Sequence, residues 1–212
     1  MPTARVFFSI AVVNDKIYAI GGVATGQGPT LAAVEEYDPA TDKWTKKADM
    51  PIGSSGMSAS VVNGRIYVIG GVSSVQGPVL ATVEEYDPVA DQWVQKADMP
   101  TARTALCTSA VNGKIYAIDG SAIVQGPGLS VIEEYDPATN QWIKRPEMPT
   151  GRAFLSTIAV GAKIYAIGGS TKGLAFVLPT VEEYDTEFKG QAVEATGKLT
   201  TLWGTLRAGG ES

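Results

Sequence analysis

I-Y-A-I-G-G at residues 17–22 returns as I-Y-V-I-G-G at 66–71, as I-Y-A-I-D-G at 115–120, and as I-Y-A-I-G-G at 164–169. The interval is 49 residues each time, and E-E-Y-D follows in step at 35–38, 84–87, 133–136 and 182–185. Trp44, Trp93 and Trp142 keep the same spacing. A period of this length marks a supersecondary unit that cannot bury its apolar face alone and gains stability by stacking on its neighbours. The units run approximately 1–49, 50–98, 99–147 and 148–196, within one domain, and 197–212 forms a tail.

Within the second unit, residues 58–62 are small and β-branched. Asn63-Gly64 follows, and then Arg65-Ile66-Tyr67-Val68-Ile69. Asn-Gly between two such runs is a hairpin signal, because both turn positions need φ > 0. Asn112-Gly113 repeats it, and Asn14-Asp15 and Gly161-Ala162 are weaker versions at the same place. A third strand is expected over 82–86. Asp87-Pro88 then opens a type I turn, and a fourth strand starts at Trp93. Aligned columns agree with burial: Phe8, Met57, Leu106 and Leu155 share one position, and Val13, Val62, Val111 and Val160 another. Ser9, Ser58, Cys107 and Ser156 fill a third with small side chains, as first strands crowding an axis require. Lys46, Lys47, Lys96 and Lys144 put charge on the fourth strands, which suits an exposed outer edge. A four-stranded meander is marginal in isolation. The expected fold is therefore all-β: a β-propeller of four-stranded antiparallel blades, with four blades in one chain. Two chains sharing a larger ring are the alternative to a single ring.

Composition narrows the function classes. With 44% hydrophobic residues the chain has the apolar content for a packed core, and 12 prolines and 24 glycines are spread over the turns. A net charge of −5 argues against a nucleic-acid footprint, which needs a basic surface. No apolar run approaches the ~20 residues that cross a bilayer, and no signal-peptide pattern is present, so no membrane contact is expected and the compartment is left open. Histidine is absent, which removes the commonest general base and transition-metal ligand; neither a metal nor another cofactor is expected. The single cysteine, Cys107, excludes an internal disulfide.

The glycine doublets, the tyrosine within each I-Y-x-I-G-G and the downstream E-x-Y-D-P…W…M-P resemble the kelch motif over residues 1 to about 185, and the spacing fits kelch better than WD40. The resemblance implies one blade per unit. Three positions depart from the pattern. Asp119 replaces the first glycine of the third doublet, as either a strained turn residue or a carboxylate at the blade mouth. Ser54 stands where the other units have Arg5, Arg103 and Arg152. The fourth unit lacks its Asp-Pro and tryptophan: Gln191 takes the register position of Trp142, residues 187–195 are a candidate outer strand, and the tail is a closing strand, a clamp or an attachment segment.

Strand direction places the Asn-Gly and Asp-Pro turns on one face, and the loops after Gly-Gly with the Met-Pro…Arg connections on the other. Loops on a rigid frame carry binding, so the second face is the candidate site. Its candidate ligand-binding residues are Arg5, Ser54, Arg103, Arg152, Gln27, Gln76, Gln125 and Asp119. Three guanidiniums suit a carboxylate-bearing ligand or an acidic peptide; the competing reading pairs each with Glu35, Glu133 or Glu182. The apolar loop at 172–179, with Leu174, Phe176 and Val177, either covers a neighbour or meets a partner. The repeated glutamates, occurring four times, read as architecture rather than as a catalytic pair, and no catalytic set is assigned. By resemblance the expected function is a non-catalytic interaction scaffold for a protein, peptide or small acidic ligand, acting as a monomer. The resemblance also extends to sialic-acid mutarotases, which leaves a sugar-acid mutarotase as the enzymatic alternative; the copper oxidases of similar fold need the missing histidines. A repeat unit of an adhesive array is the structural alternative.

Overall fold

The computed structural model describes residues 1–24, 28–74, 76–187 and 203–206. Among these residues there are sixteen strands in four sheets, each in simple meander order. The first blade is β1 (Ser9–Val13), β2 (Lys16–Ile20), β3 (Val34–Asp38) and β4 (Lys43–Lys47). The second is β5 (Ser58–Val62), β6 (Arg65–Ile69), β7 (Val83–Asp87) and β8 (Gln92–Gln95). The third is β9 (Cys107–Val111), β10 (Lys114–Ile118), β11 (Ile132–Asp136) and β12 (Gln141–Arg145). The fourth is β13 (Ser156–Val160), β14 (Lys163–Ile167), β15 (Val181–Asp185) and β16 (Trp203–Leu206). These are the four blades of a β-propeller. The outer strand of the fourth blade comes from 203–206; Gln191 and all but the first residue of the candidate strand at 187–195 lie outside the described residues.

Local chemistry explains the hairpins. Asn63 and Gly64 sit at φ 50° and 74°, and Asn112 and Gly113 at 49° and 75°, the doubly left-handed turn that matches strand twist. Asn14 and Asp15 reach φ 50° and 59° without a glycine. The glycines of the doublets serve a different need. Gly71 lies at φ 97°, and a Cβ there would meet the Ser55 carbonyl oxygen at 2.8 Å and the Met57 Cβ at 3.0 Å. Gly64 is also left-handed, but a Cβ there meets nothing within 4 Å. Gly71→Ala is therefore expected to cost about 2 kcal/mol or more and Gly64→Ala about 1 kcal/mol, read as urea midpoints; equal costs would remove the close-packing role of the doublet.

The E-E-Y-D strand divides its side chains between two surfaces, as a period of two requires. The first glutamates, Glu35, Glu84, Glu133 and Glu182, are buried. The second ones of the first three blades, Glu36, Glu85 and Glu134, face the tyrosine of the preceding strand and the cation of the outer strand, whereas Glu183 pairs with Lys163 of the preceding strand. The Tyr18 hydroxyl donates to Glu36 at 2.6 Å, and Lys96 and Arg145 pair with Glu85 and Glu134 at 3.2 and 2.6 Å. Tyrosine and tryptophan of neighbouring strands stack in the first three blades, with centroids 5.0 Å apart for Tyr37–Trp44, 4.8 Å for Tyr86–Trp93 and 5.0 Å for Tyr135–Trp142.

Successive blades are joined by the same contacts each time. Tyr18 meets Tyr86, Tyr67 meets Tyr135 and Tyr116 meets Tyr184, all with ring centroids 6.0 Å apart. The amides of Gly22, Gly71 and Gly120 donate to the carbonyls of Ser54, Arg103 and Arg152 of the next blade at 2.8–2.9 Å. Nearer the axis, Gly56 donates to Phe7, Ala105 to Gly56 and Phe154 to Ala105. Three apolar clusters fill the spaces between blades one and two, two and three, and three and four. Among the described residues no such contact joins blade four to blade one. The equivalent columns show the consequence: Val13, Val62 and Val111 are 4–5% exposed, but Val160 is 60% exposed.

Candidate binding face

The loops that follow the Gly-Gly strands converge around the axis on one face. Arg5, Arg103 and Arg152 start from the Met-Pro…Arg connections, but each side chain turns into its own blade. Arg103, with no exposed surface, donates Nη1 to the carbonyls of Asp119 and Val131 at 2.8 and 2.9 Å. Its Nη2 meets Glu133 at 2.8 Å. Arg152 repeats this with the Gly168 carbonyl at 2.9 Å and Glu182 at 2.5 Å, and Arg5 with the Gly21 and Ala33 carbonyls and Glu35 at 3.0 Å. The guanidiniums tie the end of the second strand to the start of the third, and the pairing with Glu35, Glu133 and Glu182 is the arrangement realised. None of the three lines the mouth of the face.

Ser54 is buried too, and its small side chain leaves Glu84 without the cation its counterparts have. Burial then pushes Glu84 up to about 7, against a single backbone amide, that of Ile52, that favours its charge. Asp119 sits in the left-handed region at φ 53° with no exposed surface, and both carboxyl oxygens lack a hydrogen-bond partner. Burial raises it to about 9, opposed by Arg152 and Arg103 and reinforced by Glu182. It is an interior carboxyl between the third and fourth blades, away from the loop mouth. Burial likewise pushes the Cys107 thiol up, and its Sγ lies 2.8 Å from the Leu155 carbonyl, so it fills a small packing position beside the next blade.

The mouth itself is an open funnel of about 1080 Å³, lined by the Gln-Gly-Pro loops and their neighbours: Ser74, Gln76, Pro78, Ile123, Val124 and Gln125. Gln27, the equivalent residue of the first unit, lies outside the described residues. Val124 and Gln125 also border a smaller cavity of about 150 Å³ at the axis, with Phe7, Thr104, Phe154 and Leu174. Val124 and Gln125 stand between the two spaces, in the lining of both. No Asp, Glu, Lys or Arg is among the described residues lining either space. The apolar groups are well exposed: Phe7 60%, Ile123 61% and Leu174 68%. The loop at 172–179 reaches this site through the Gly173 amide, which donates to the Gly126 carbonyl at 3.1 Å.

Sequence reasoning found the glutamines but missed Phe7, Phe154, Ile123 and Val124. A signal was present for the first two. Phe7, Gly56, Ala105 and Phe154 occupy one column, all at φ 53–65°, where two units use small residues and two use phenylalanine. A bulky residue held left-handed costs energy and persists only where its surroundings enforce it. Among the described residues, no group of three or more His, Cys, Asp or Glu side chains is placed to hold a metal ion, and no helix is long and apolar enough to cross a membrane.

Comparison with known proteins agrees with this architecture. The model of the KLHDC2/KLHL20/DRC7 Kelch-repeats domain matches residues 1–169. Beta-scruin of Limulus polyphemus is 43% identical over 58 residues, which are 27% of this chain and 6% of that protein. Kelch-like protein 15 of Danio rerio is 43% identical over 61 residues, 26% of this chain and 10% of the relative. The chain thus matches a tenth or less of the length of these curated relatives. The solved structure of YjhT superposes with a TM-score of 0.79 at 23% identity, covering 98% of this chain and 66% of that one. With its repeated motifs set as blades and the family model spanning most of its length, the chain belongs to the kelch-repeat family.

Proposed function

We propose that this chain is a non-catalytic interaction scaffold that holds a protein or peptide segment in the funnel of its loop face. One observation carries the reading: exposed apolar and aromatic side chains, Phe7, Ile123, Val124, Phe154 and Leu174, line two adjoining spaces whose polar groups are neutral, chiefly Gln76 and Gln125. Aromatic anchors with a few amide donors and acceptors are the composition of a protein-recognition surface, and rigid blades hold them without an ordering cost. Membership of a family that generally binds proteins supports the same reading. The lining favours a neutral or apolar segment over an acidic one, because Arg5, Arg103 and Arg152 are committed to carbonyl and carboxylate partners. A sugar-acid mutarotase would need those guanidiniums free.

The test is selection of a random-peptide display library on the intact chain. Enriched peptides rich in Leu, Phe or Tyr are expected, with affinity falling at least tenfold in Val124→Asp and in Phe7→Ser while Tm moves by no more than about 2 °C. Peptides that bind both variants as well as the parent would put the site elsewhere. Anomer exchange of a sialic acid, followed by NMR, is expected at the buffer rate; acceleration by added protein would replace the scaffold reading with the enzymatic one.

A further inference from the structure

Unit two departs from the other three in the connection before its first strand. Met50-Pro51-Ile52-Gly53-Ser54 stands where the others read Met1-Pro2-Thr3-Ala4-Arg5, Met99-Pro100-Thr101-Ala102-Arg103 and Met148-Pro149-Thr150-Gly151-Arg152. Two donors to the buried glutamate change at once. Thr3 and Thr101 donate their hydroxyls to Glu35 and Glu133 at 2.7 and 2.8 Å, whereas Ile52 has no hydroxyl. Arg5, Arg103 and Arg152 pair with Glu35, Glu133 and Glu182 at 2.5–3.0 Å, whereas Ser54 carries no charge. The acceptors are all kept. Glu84 lies opposite Val68 and is 5% exposed, as Glu35 lies opposite Ala19 and is 6% exposed. Gly70 donates its amide to the Thr82 carbonyl at 3.0 Å, as Gly21 does to Ala33 at 3.1 Å and Asp119 to Val131 at 2.9 Å. Blade two therefore holds two carbonyls and a carboxylate in the frame that grips a guanidinium in blades one and three. Among the described residues no hydrogen bond joins the Ser54 hydroxyl to any of these three groups.

We infer that Glu84 and the carbonyls of Gly70 and Thr82 form a binding niche for a small guanidinium-bearing solute. The sister blades specify the group. One nitrogen of Arg103 meets the Asp119 and Val131 carbonyls and a second meets the Glu133 carboxylate, so the frame fits a flat fork with donors on adjacent nitrogens. An ammonium puts all its donors on one nitrogen and does not span both sides. Burial sets the size. Ser54 and Glu84 are 4% and 5% exposed, which suits a solute of a few heavy atoms rather than a polypeptide segment. A buried carboxylate without a counter-ion is costly, and a cation that hydrogen-bonds to it and to the carbonyls removes that cost. The niche lies within blade two, so the inference is independent of what the loop face binds.

The experiment is a thermal melt of the full chain at pH 8 in methylguanidinium chloride, with sodium chloride of equal concentration as the reference. At about 100 mM, Tm is expected to rise by about 3–6 °C, the shift that a site with a Kd of about 10 mM produces. Two variants lose the niche: Ser54→Arg fills it with a tethered guanidinium, and Glu84→Gln removes its charge. Both should instead show the slight fall in Tm that a weak denaturant causes. Equilibrium dialysis of labelled methylguanidinium should find one saturable site per parent chain and none in either variant. Methylammonium is expected to leave the parent's Tm where sodium chloride puts it. Three results would overturn the inference: a parent whose Tm falls in step with that of Ser54→Arg, dialysis that finds no saturable site, or equal protection by methylammonium. The last would make the niche a general cation site.

Discussion

Arg103→Ala is expected to lower Tm by roughly 6–12 °C, with a loss of about 3 kcal/mol, because it strands the buried carboxylate of Glu133 and two carbonyl oxygens at once. The attraction between Arg103 and Glu133 is only part of this figure. Most of it is the cost of a charge left in the interior with no counter-ion. Adding Glu133→Gln to the same chain should return about half of the loss, since a neutral amide is cheaper to bury than an orphaned carboxylate. The second unit already carries the natural version of this change. There Ser54 replaces the arginine, and Glu84 is held up to about 7 by burial, so it is half-protonated near neutrality. Ser54→Arg is accordingly expected to raise stability at pH 8, where Glu84 is otherwise forced to ionise unpaired. The measurement is a thermal melt with parallel peptide capture. If Arg103→Ala abolished capture while Tm stayed put, the guanidinium would belong to the ligand site and not to the blade.

Architecture and site differ in how far the sequence foretells them. The period, the Asn-Gly corners and the tyrosine and glycine columns each report a constraint repeated in every blade, and such constraints show as columns. The two-residue left-handed turn at Asn63-Gly64 is written in its own dipeptide. The direction of Arg103 is not. An arginine two residues after Thr101 can point along the axis or back under the next strand, and only the carbonyls that the glycine doublet and the strand entrance leave facing inward settle which. The alternative had been visible, since a Glu recurs where each arginine recurs and is missing its partner only where Ser54 stands. The funnel was half legible for the opposite reason. Gln76 and Gln125 repeat, whereas Ile123, Val124, Phe7 and Phe154 matter because their units depart from one another, and a reading based on repetition passes over departures. The exposure of Val160 was hidden for a third reason: it looks like Val13, Val62 and Val111 in sequence, and only the lack of a following blade among the described residues distinguishes it.

Asp119→Gly is expected to stabilise the chain by about 5 kcal/mol or more at pH 8, raising Tm by roughly 10–20 °C, and to flatten its pH dependence. Two costs disappear together. Glycine adopts φ 53° freely, which relieves a left-handed side chain, and a carboxyl with both oxygens unpartnered leaves the interior. The pH dependence follows from linkage. Asp119 titrates near 3.8 in the unfolded chain and is raised to about 9 in the fold by burial, with Arg152 and Arg103 opposing the shift and Glu182 adding to it. Below pH ~4 the carboxyl is neutral in both states and costs least. As pH rises toward 9 the unfolded chain gives up the proton and the folded chain keeps it, so stability falls by up to ~1.4 kcal/mol per pH unit; above 9 both states are ionised and the loss ends. Glu84 adds a smaller fall of the same sign, ending near 7, which the variant retains. Urea midpoints at pH 5, 7 and 9 measure this directly. Asp119→Asn separates the two contributions, because asparagine tolerates the left-handed backbone and carries no titrating proton. If Asp119→Gly were less stable than the parent at pH 8, the carboxylate would be ionised and held by Arg152, and the interior between blades three and four would be an ion-pair network rather than a site that keeps a proton.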